Sequence, residues 1–224
     1  MSLPYQGLIC DCDGVLLDSE AVALSTLLAA LAHRHEREAL AAFLRPRLGM
    51  TIFDIGAELS RELDIRLDQP TLAALGREVE ARCAEGVPAV PGVFEAIATL
   101  PVPRAVASNS SRERVEAGLR QHGLWDVFGG HVHTPDTHHK PKPAPDLYLA
   151  AARGLACAPQ QCLVIEDSVA GVTAAVAAGC TVLGFTGTRH DEAGAAQRLL
   201  AAGARAVFDQ MNQLPARLAV LAAG

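Results

Sequence analysis

The chain opens on a short apolar run, Gly7 to Cys10, that stops abruptly at Asp11-Cys12-Asp13-Gly14, as a buried parallel strand does on entering a functional loop. From Ser19 to about Glu85, apolar positions recur at helical spacing through Ala- and Leu-rich stretches broken near Arg45-Pro46 and Gln69-Pro70. This predicts an all-α insertion of about four helices. After Gly86-Val87-Pro88 and a Pro91-Gly92 start to another helix, short β-rich runs alternate with amphipathic helices. Strands are expected near Arg104–Ala107, Gly130–His133, Leu163–Ile165 and Thr181–Phe185, with a candidate last one at Ala206–Phe208. Alternating β and α units imply a parallel sheet with helices on both faces and right-handed crossovers. The expected class is α/β: a doubly wound, Rossmann-like parallel-sheet core (residues 1–18 and 87–224) with an inserted all-α cap (19–86).

Composition narrows the class of partner. With 50% apolar and 20% charged residues in 224, the chain suits a globular protein with one main core and a smaller insertion. A formal charge of −6 gives no broad basic surface for nucleic acid or anionic lipid, so neither partner is expected. No apolar run approaches the roughly 20 residues that span a bilayer, and MSLPYQGLIC lacks a basic segment followed by an apolar one. A cytoplasmic protein is expected. Six cysteines without a CxxC pair read as buried thiols rather than disulfides. The Ala-rich stretch 170–178 reads as a close-packed core helix.

Ligands of such sheets bind outside the carboxyl ends of the strands. Three of those ends carry polar residues: Asp11 and Asp13, Ser108-Asn109, and Glu166-Asp167. The Lys140-Pro141-Lys142-Pro143 segment adds positive charge. Acidic groups converging on one rim repel one another and raise at least one pKa unless a cation holds them together. Oxygen ligands favour a hard divalent ion, Mg²⁺ in the presence of a substrate phosphate.

These stretches resemble the motifs of the haloacid dehalogenase-like superfamily: Asp11-Cys12-Asp13-Gly14-Val15-Leu16-Leu17-Asp18-Ser19-Glu20, Ala107-Ser108-Asn109, Lys142-Pro143-Ala144-Pro145-Asp146, and Ile165-Glu166-Asp167-Ser168-Val169-Ala170-Gly171. Order and spacing agree from end to end. The resemblance implies a phosphate-transfer enzyme working through an aspartyl-phosphate on Asp11, with Asp13 as general acid/base. Dehalogenating relatives lack that second aspartate. Ser108 and the following amides, including that of Asn109, would bind phosphoryl oxygens, while Lys142 offsets charge. Asp11, the main-chain carbonyl of Asp13 and Asp167 would hold Mg²⁺, with Glu166 behind them or bonded through water. Lys140 competes for the lysine role, but the KPxPD pattern starts at Lys142.

Other features have plainer readings. Asp18, Ser19 and Ser168 sit where helices start and read as caps. Trp125 reads as a packing residue. His131, His133, His138 and His139 look like a metal tract, yet the first two share one face of a short strand and the others lie in a loop, so cleft lining or surface is the better reading. The family likeness makes the insertion a cap that closes over the site and sets specificity, with hinges at Leu17 to Glu20 and Gly86-Val87-Pro88. Arg45, Arg47 and Thr51 flank Gly49 in a cap loop and are candidates to contact a polar or anionic leaving group.

The closest rival is a β-phosphoglucomutase-like enzyme. That family places a histidine twelve residues after the nucleophile and an arginine three residues after the cap-loop glycine, where this chain has Ala23 and Ile52. The start of the chain and 49–65 are more similar to bacterial sugar-phosphate phosphatases of the kind that hydrolyse 6-phosphogluconate. The expectation is a monomeric phosphatase of a small phosphorylated metabolite. A catalytically idle binding protein would be expected to have lost Asp11, Asp13, Lys142 or Asp167, and all four are present.

Overall fold

The computed structural model describes residues 5–48, 50–137, 140–188 and 192–223. In chain order the elements are β1 (Gly7–Cys10), α1 (Ser19–Leu31), α2 (Arg37–Leu44), α3 (Ile52–Leu63), α4 (Gln69–Glu85), α5 (Val93–Ala98), β2 (Arg104–Ala107), α6 (Arg112–Gln121), α7 (Trp125–Phe128), β3 (Val132–His133), α8 (Asp146–Gly154), β4 (Cys162–Glu166), α9 (Val169–Ala177), β5 (Thr181–Phe185), α10 (Glu192–Ala201), β6 (Ala206–Phe208) and α11 (Leu214–Ala223).

The strands form one sheet in the order β3-β2-β1-β4-β5-β6, every pairing parallel. From β1 the chain steps outward through β2 and β3, then crosses back to lay β4 on the other side of β1. That reversal sets the carboxyl ends of β1, β2 and β4 side by side, where a doubly wound sheet opens a crevice. The apolar character of these strands follows from burial on both faces. Ala105, Ile9, Val164 and Val182 stand in register across four strands and pack in one cluster with Leu147 and Ala151 of α8 and Val172 and Ala175 of α9. Small residues on α9 let it lie close to the sheet, as the Ala-rich pattern implied.

Two elements depart from expectation. The edge strand β3 spans Val132–His133 rather than 130–133, because Gly129 and Gly130 take left-handed conformations (φ 56° and 76°) that turn the chain after α7 instead of extending the ladder. β4 is longer than expected by one residue at each end. Cys10, Cys12, Cys162 and Cys180 are buried, Cys83 and Cys157 partly so, and all six are free thiols.

The Cα packing divides the chain into two compact units, Met1–Leu17 with Ala89–Gly224, and Asp18–Pro88. The second contains α1 to α4 around its own core of Leu24, Leu28, Leu31, Leu40, Leu44 and Leu59. Its punctuation is local. Asp18 caps α1 by accepting from the Ala21 amide at 3.0 Å, a 3₁₀ turn occupies Arg45–Arg47, and Asp68 caps α4 with Pro70 in the first turn, where a missing N–H is harmless. No helix among the described residues is long and apolar enough to cross a membrane.

Candidate active site

Asp11 follows β1 directly. Its amide continues the ladder to the Ile165 carbonyl at 3.0 Å, which fixes a 7%-exposed carboxylate at the strand mouth. The chain then turns so tightly that the Cys12 carbonyl accepts from the amides of Val15, Leu16 and Leu17. Gly14 takes φ +83°, and a Cβ there would stand 2.0 Å from Asp167 Oδ2. The first motif therefore needs glycine for its backbone and to make room for the carboxylate of the fourth.

Lys142 enters from the loop before α8, through a cis Lys142–Pro143 peptide bond. Its ammonium donates to Asp11 Oδ1 at 2.7 Å and Glu166 Oε1 at 2.6 Å, and lies 5.1 Å from the centre of the Tyr148 ring. Lys140 is exposed; Lys142 is the lysine buried in the site. Asn109 holds the Lys142 backbone from both sides, its Oδ1 accepting from the amide at 2.8 Å and its Nδ2 donating to the carbonyl at 3.2 Å. The Asn109 side chain is thus a clamp, which leaves the main-chain amide for the phosphate role expected of it. Ser108 is 1% exposed and its Oγ accepts from the Ser110 amide at 3.1 Å.

Glu166, at the end of β4, is fully buried and accepts four hydrogen bonds. Lys142 and the Tyr148 hydroxyl (2.7 Å) donate to Oε1, and the amide and hydroxyl of Ser168 (both 2.9 Å) donate to Oε2. Ser168 also caps α9, accepting from the Gly171 amide at 3.0 Å. A Cβ on Gly171 would meet Glu166 Oε1 at 1.6 Å. Gly171→Ala is therefore expected to displace Glu166 and, through it, Lys142. A displacement near 1 Å costs about a hundredfold in kcat, so unchanged steady-state rates in this variant would contradict the arrangement.

Asp11, Glu166 and Asp167 each place a carboxylate oxygen within 4.8 Å of the others, the one such buried cluster among the described residues. Lys142 pairs with two of the three, Asp11 and Glu166. Burial pushes the Asp11 carboxyl up to about 7, a rise that Lys142 opposes and the Glu166 charge reinforces. Burial alone would raise Glu166 too, but Lys142 and its hydrogen bonds hold it below the usual carboxylate value. Burial works against the Lys142 charge, yet Asp11 and Glu166 outweigh it and raise its pKa. Cys12 stays a thiol, its pKa driven up by burial and by Asp13 and Asp11, so it is not a competing nucleophile.

Asp13 is paired on both oxygens, Oδ1 with Arg114 Nη2 at 2.9 Å and Oδ2 with the Ser110 hydroxyl at 2.7 Å. Ser110, Arg114 and Tyr148 were not singled out from sequence. Tyr148 falls in the buried stripe of α8 and reads there as packing, although a buried phenol needs a partner. Arg114 carried a signal too, a cation in the first turn of a helix.

Arg47 and Thr51, the two cap-loop candidates, both have partners within the helical unit. The Arg47 guanidinium bonds Glu58, Glu62 and the Phe43 carbonyl and stacks on the Phe43 ring at 3.9 Å. Thr51 caps α3, accepting from the Asp54 amide at 3.2 Å and donating to its carboxylate at 2.6 Å. These polar atoms bind the helical unit together. Gly49, His138 and His139 lie outside the described residues. His131 and His133 both approach Gly154 of α8.

Comparison with known proteins agrees with this geometry. The family model of the haloacid dehalogenase-like hydrolases matches residues 5–179. Hexitol phosphatase A of Escherichia coli (strain K12) is 32% identical over 185 residues, 80% of this chain and 82% of that protein. The 6-phosphogluconate phosphatase of the same organism is 24% identical over 186 residues, 81% of this chain and 83% of that protein. The crystal structure of a HAD family hydrolase from Deinococcus radiodurans R1, with bound phosphate and sodium, superposes with a TM-score of 0.83 at 32% identity, covering 99% of this chain and 98% of that one. With four motifs meeting at the carboxyl ends of β1, β2 and β4, the chain belongs to the haloacid dehalogenase-like hydrolases.

Proposed function

We propose that the protein is a Mg²⁺-dependent phosphatase of small phosphorylated metabolites, sugar phosphates or phosphorylated sugar acids, acting through an aspartyl-phosphate on Asp11. The observation that carries this reading is the buried set of three carboxylates and one lysine, with Lys142 bridging Asp11 and Glu166. Relatives named as hexitol and 6-phosphogluconate phosphatases support the substrate class.

The donor set fits a hard divalent cation: oxygen atoms alone, close together and carrying more negative charge than Lys142 offsets. Asp11, Asp167 and the main-chain carbonyl of Asp13 would hold Mg²⁺. Glu166, with both oxygens already accepting two hydrogen bonds, serves as the post to which Lys142 is fastened. An ion held there would supply charge neutralisation for the phosphoryl oxygens. Asp11 attacks phosphorus, Asp13 protonates the departing oxygen, and Ser108 with the neighbouring amides holds the phosphoryl group. In the second half Asp13 takes a proton from water as the acyl-phosphate is hydrolysed. The mutase alternative loses ground at Ala23 and Ile52, which stand where that family has histidine and arginine.

Phosphate release from a panel of sugar phosphates and phosphorylated acids, with and without Mg²⁺, tests the reading. Mg²⁺-dependent release is expected. Conversion of glucose 1-phosphate to glucose 6-phosphate without phosphate release would replace it with the mutase.

A further inference from the structure

An ion pair at the rim, between Arg114 of α6 and Asp13, has no place in the mechanism so far. Its simplest reading is a surface salt bridge, with side chains 44% and 30% exposed. Three observations say more. The Arg114 amide is tied to Ser111 Oγ, the N-cap of α6, at 3.3 Å, which sets the residue in the first turn, where the helix dipole disfavours a cation. A local rule broken in this way is characteristic of functional sites. From there the guanidinium reaches 101 residues back along the chain to one oxygen of the presumptive acid/base, Asp13 Oδ1.

Finally, the two donors on Asp13 differ in kind. The guanidinium is a rigid planar fork. The Ser110 hydroxyl on Oδ2 turns about its own bond and is readily exchanged for another partner, while the Ser110 backbone stays fixed by its amide bond to Ser108 Oγ.

We propose that Arg114 is a positioning residue for the acid/base: it grips Asp13 Oδ1 so that Oδ2 exchanges the Ser110 hydroxyl for the leaving-group oxygen of the substrate. The assignment rests on the phosphatase reading above. As Asp11 forms its bond to phosphorus, the bond to the leaving oxygen breaks and its electron pair stays on that oxygen. Oδ2, which enters the first cycle with a proton taken from solvent as the Ser110 hydroxyl leaves it, gives that proton to the departing oxygen, and the resulting Asp13 carboxylate remains paired with Arg114. In the second step water attacks phosphorus, Oδ2 recovers a proton from it, the bond to Asp11 breaks and phosphate departs.

Two substrates separate positioning from a structural role. A sugar phosphate such as glucose 6-phosphate, or whichever in the panel reacts fastest, expels a basic alkoxide that needs the proton. p-Nitrophenyl phosphate expels a phenolate that does not. Arg114→Ala is expected to lower kcat/KM on the sugar phosphate by about 10- to 100-fold, part of the range for a positioned proton donor, and on p-nitrophenyl phosphate by no more than about threefold. Arg114→Lys should recover part of the loss, since it restores charge without the fork. Exposed ion pairs contribute little to stability, so both variants should fold.

Equal losses on the two substrates, or no loss on the sugar phosphate, would overturn the assignment. Asp13→Asn shows which idea failed. If it loses the sugar phosphate selectively and Arg114→Ala does not, Arg114 is only a surface partner and the phosphatase stands. Wild-type protein that releases no phosphate takes both down.

Discussion

Asp11→Asn is expected to release no detectable phosphate from any substrate, a loss of at least about 10⁴-fold, because an amide cannot form the acyl-phosphate. The same variant should fold well, and its stability carries a second signature. Asp11 in the folded metal-free protein has its carboxyl raised to about 7 by burial, against an ordinary value near 3.8. A raised acid favours the folded state at low pH, and that advantage disappears as pH climbs from the unfolded value through 7, where the buried group must ionise. In EDTA the variant should therefore melt alongside wild type near pH 4 and a few degrees above it at pH 8. Calorimetry at the two pH values with parallel rate measurements checks both halves. A variant that keeps its rate removes Asp11 as the nucleophile; a variant that melts lower at pH 8 means that its charge is well compensated.

Lys142→Met should lose both activity and stability. The ammonium is the counter-charge for Asp11 and Glu166 at 2.7 and 2.6 Å, and removing one partner of a buried ion pair costs about 3–5 kcal/mol. For a chain of this length that lowers the melting temperature by roughly ten degrees. The rate should fall by about 10²–10³-fold, the cost of removing a single preorganised donor. The double variant Lys142→Met, Glu166→Gln separates the two effects. It should regain part of the stability, because Glu166 no longer carries a buried charge without its counter-ion while Asp11 still does, and none of the rate. If Lys142→Met melts with wild type, the lysine is not the counter-charge that its distances imply.

The parts of the site legible in sequence were those defined within a few residues of chain. An apolar run that ends in Asp-x-Asp-Gly, or in Glu-Asp before a small-residue helix, identifies strand, loop and chemistry together. Asp18 likewise marked a helix start that the structure shows as a cap, and Gln69-Pro70 marked the break at which α4 begins. What stayed hidden depends on contacts between distant segments. Ser110 and Arg114 meet Asp13 across 97 and 101 residues, and no local pattern shows which donor will face which acceptor. The partners of Arg47 were hidden for the same reason. A cation beside a cap-loop glycine suggests ligand binding until Glu58 and Glu62 arrive from the next helix. The length of β3 was overestimated because apolar content was weighed above the backbone freedom of Gly129 and Gly130.

The chain leaves and re-enters the core through paired segments. The Val90 amide bonds the Leu16 carbonyl at 2.9 Å, the Asp18 amide bonds the Pro88 carbonyl at 2.8 Å, and Leu17 and Ala89 form an antiparallel bridge between them. Asp18 to Pro88 is therefore one continuous insertion whose two ends are held by paired segments. Closure entropy depends only weakly on what the loop contains. A gene encoding this scaffold is thus open to recombination at one place: the coding stretch from codon 18 to codon 88 can be lengthened, shortened or replaced wholesale. The sheet and its carboxylates would keep every residue of their own through such an exchange.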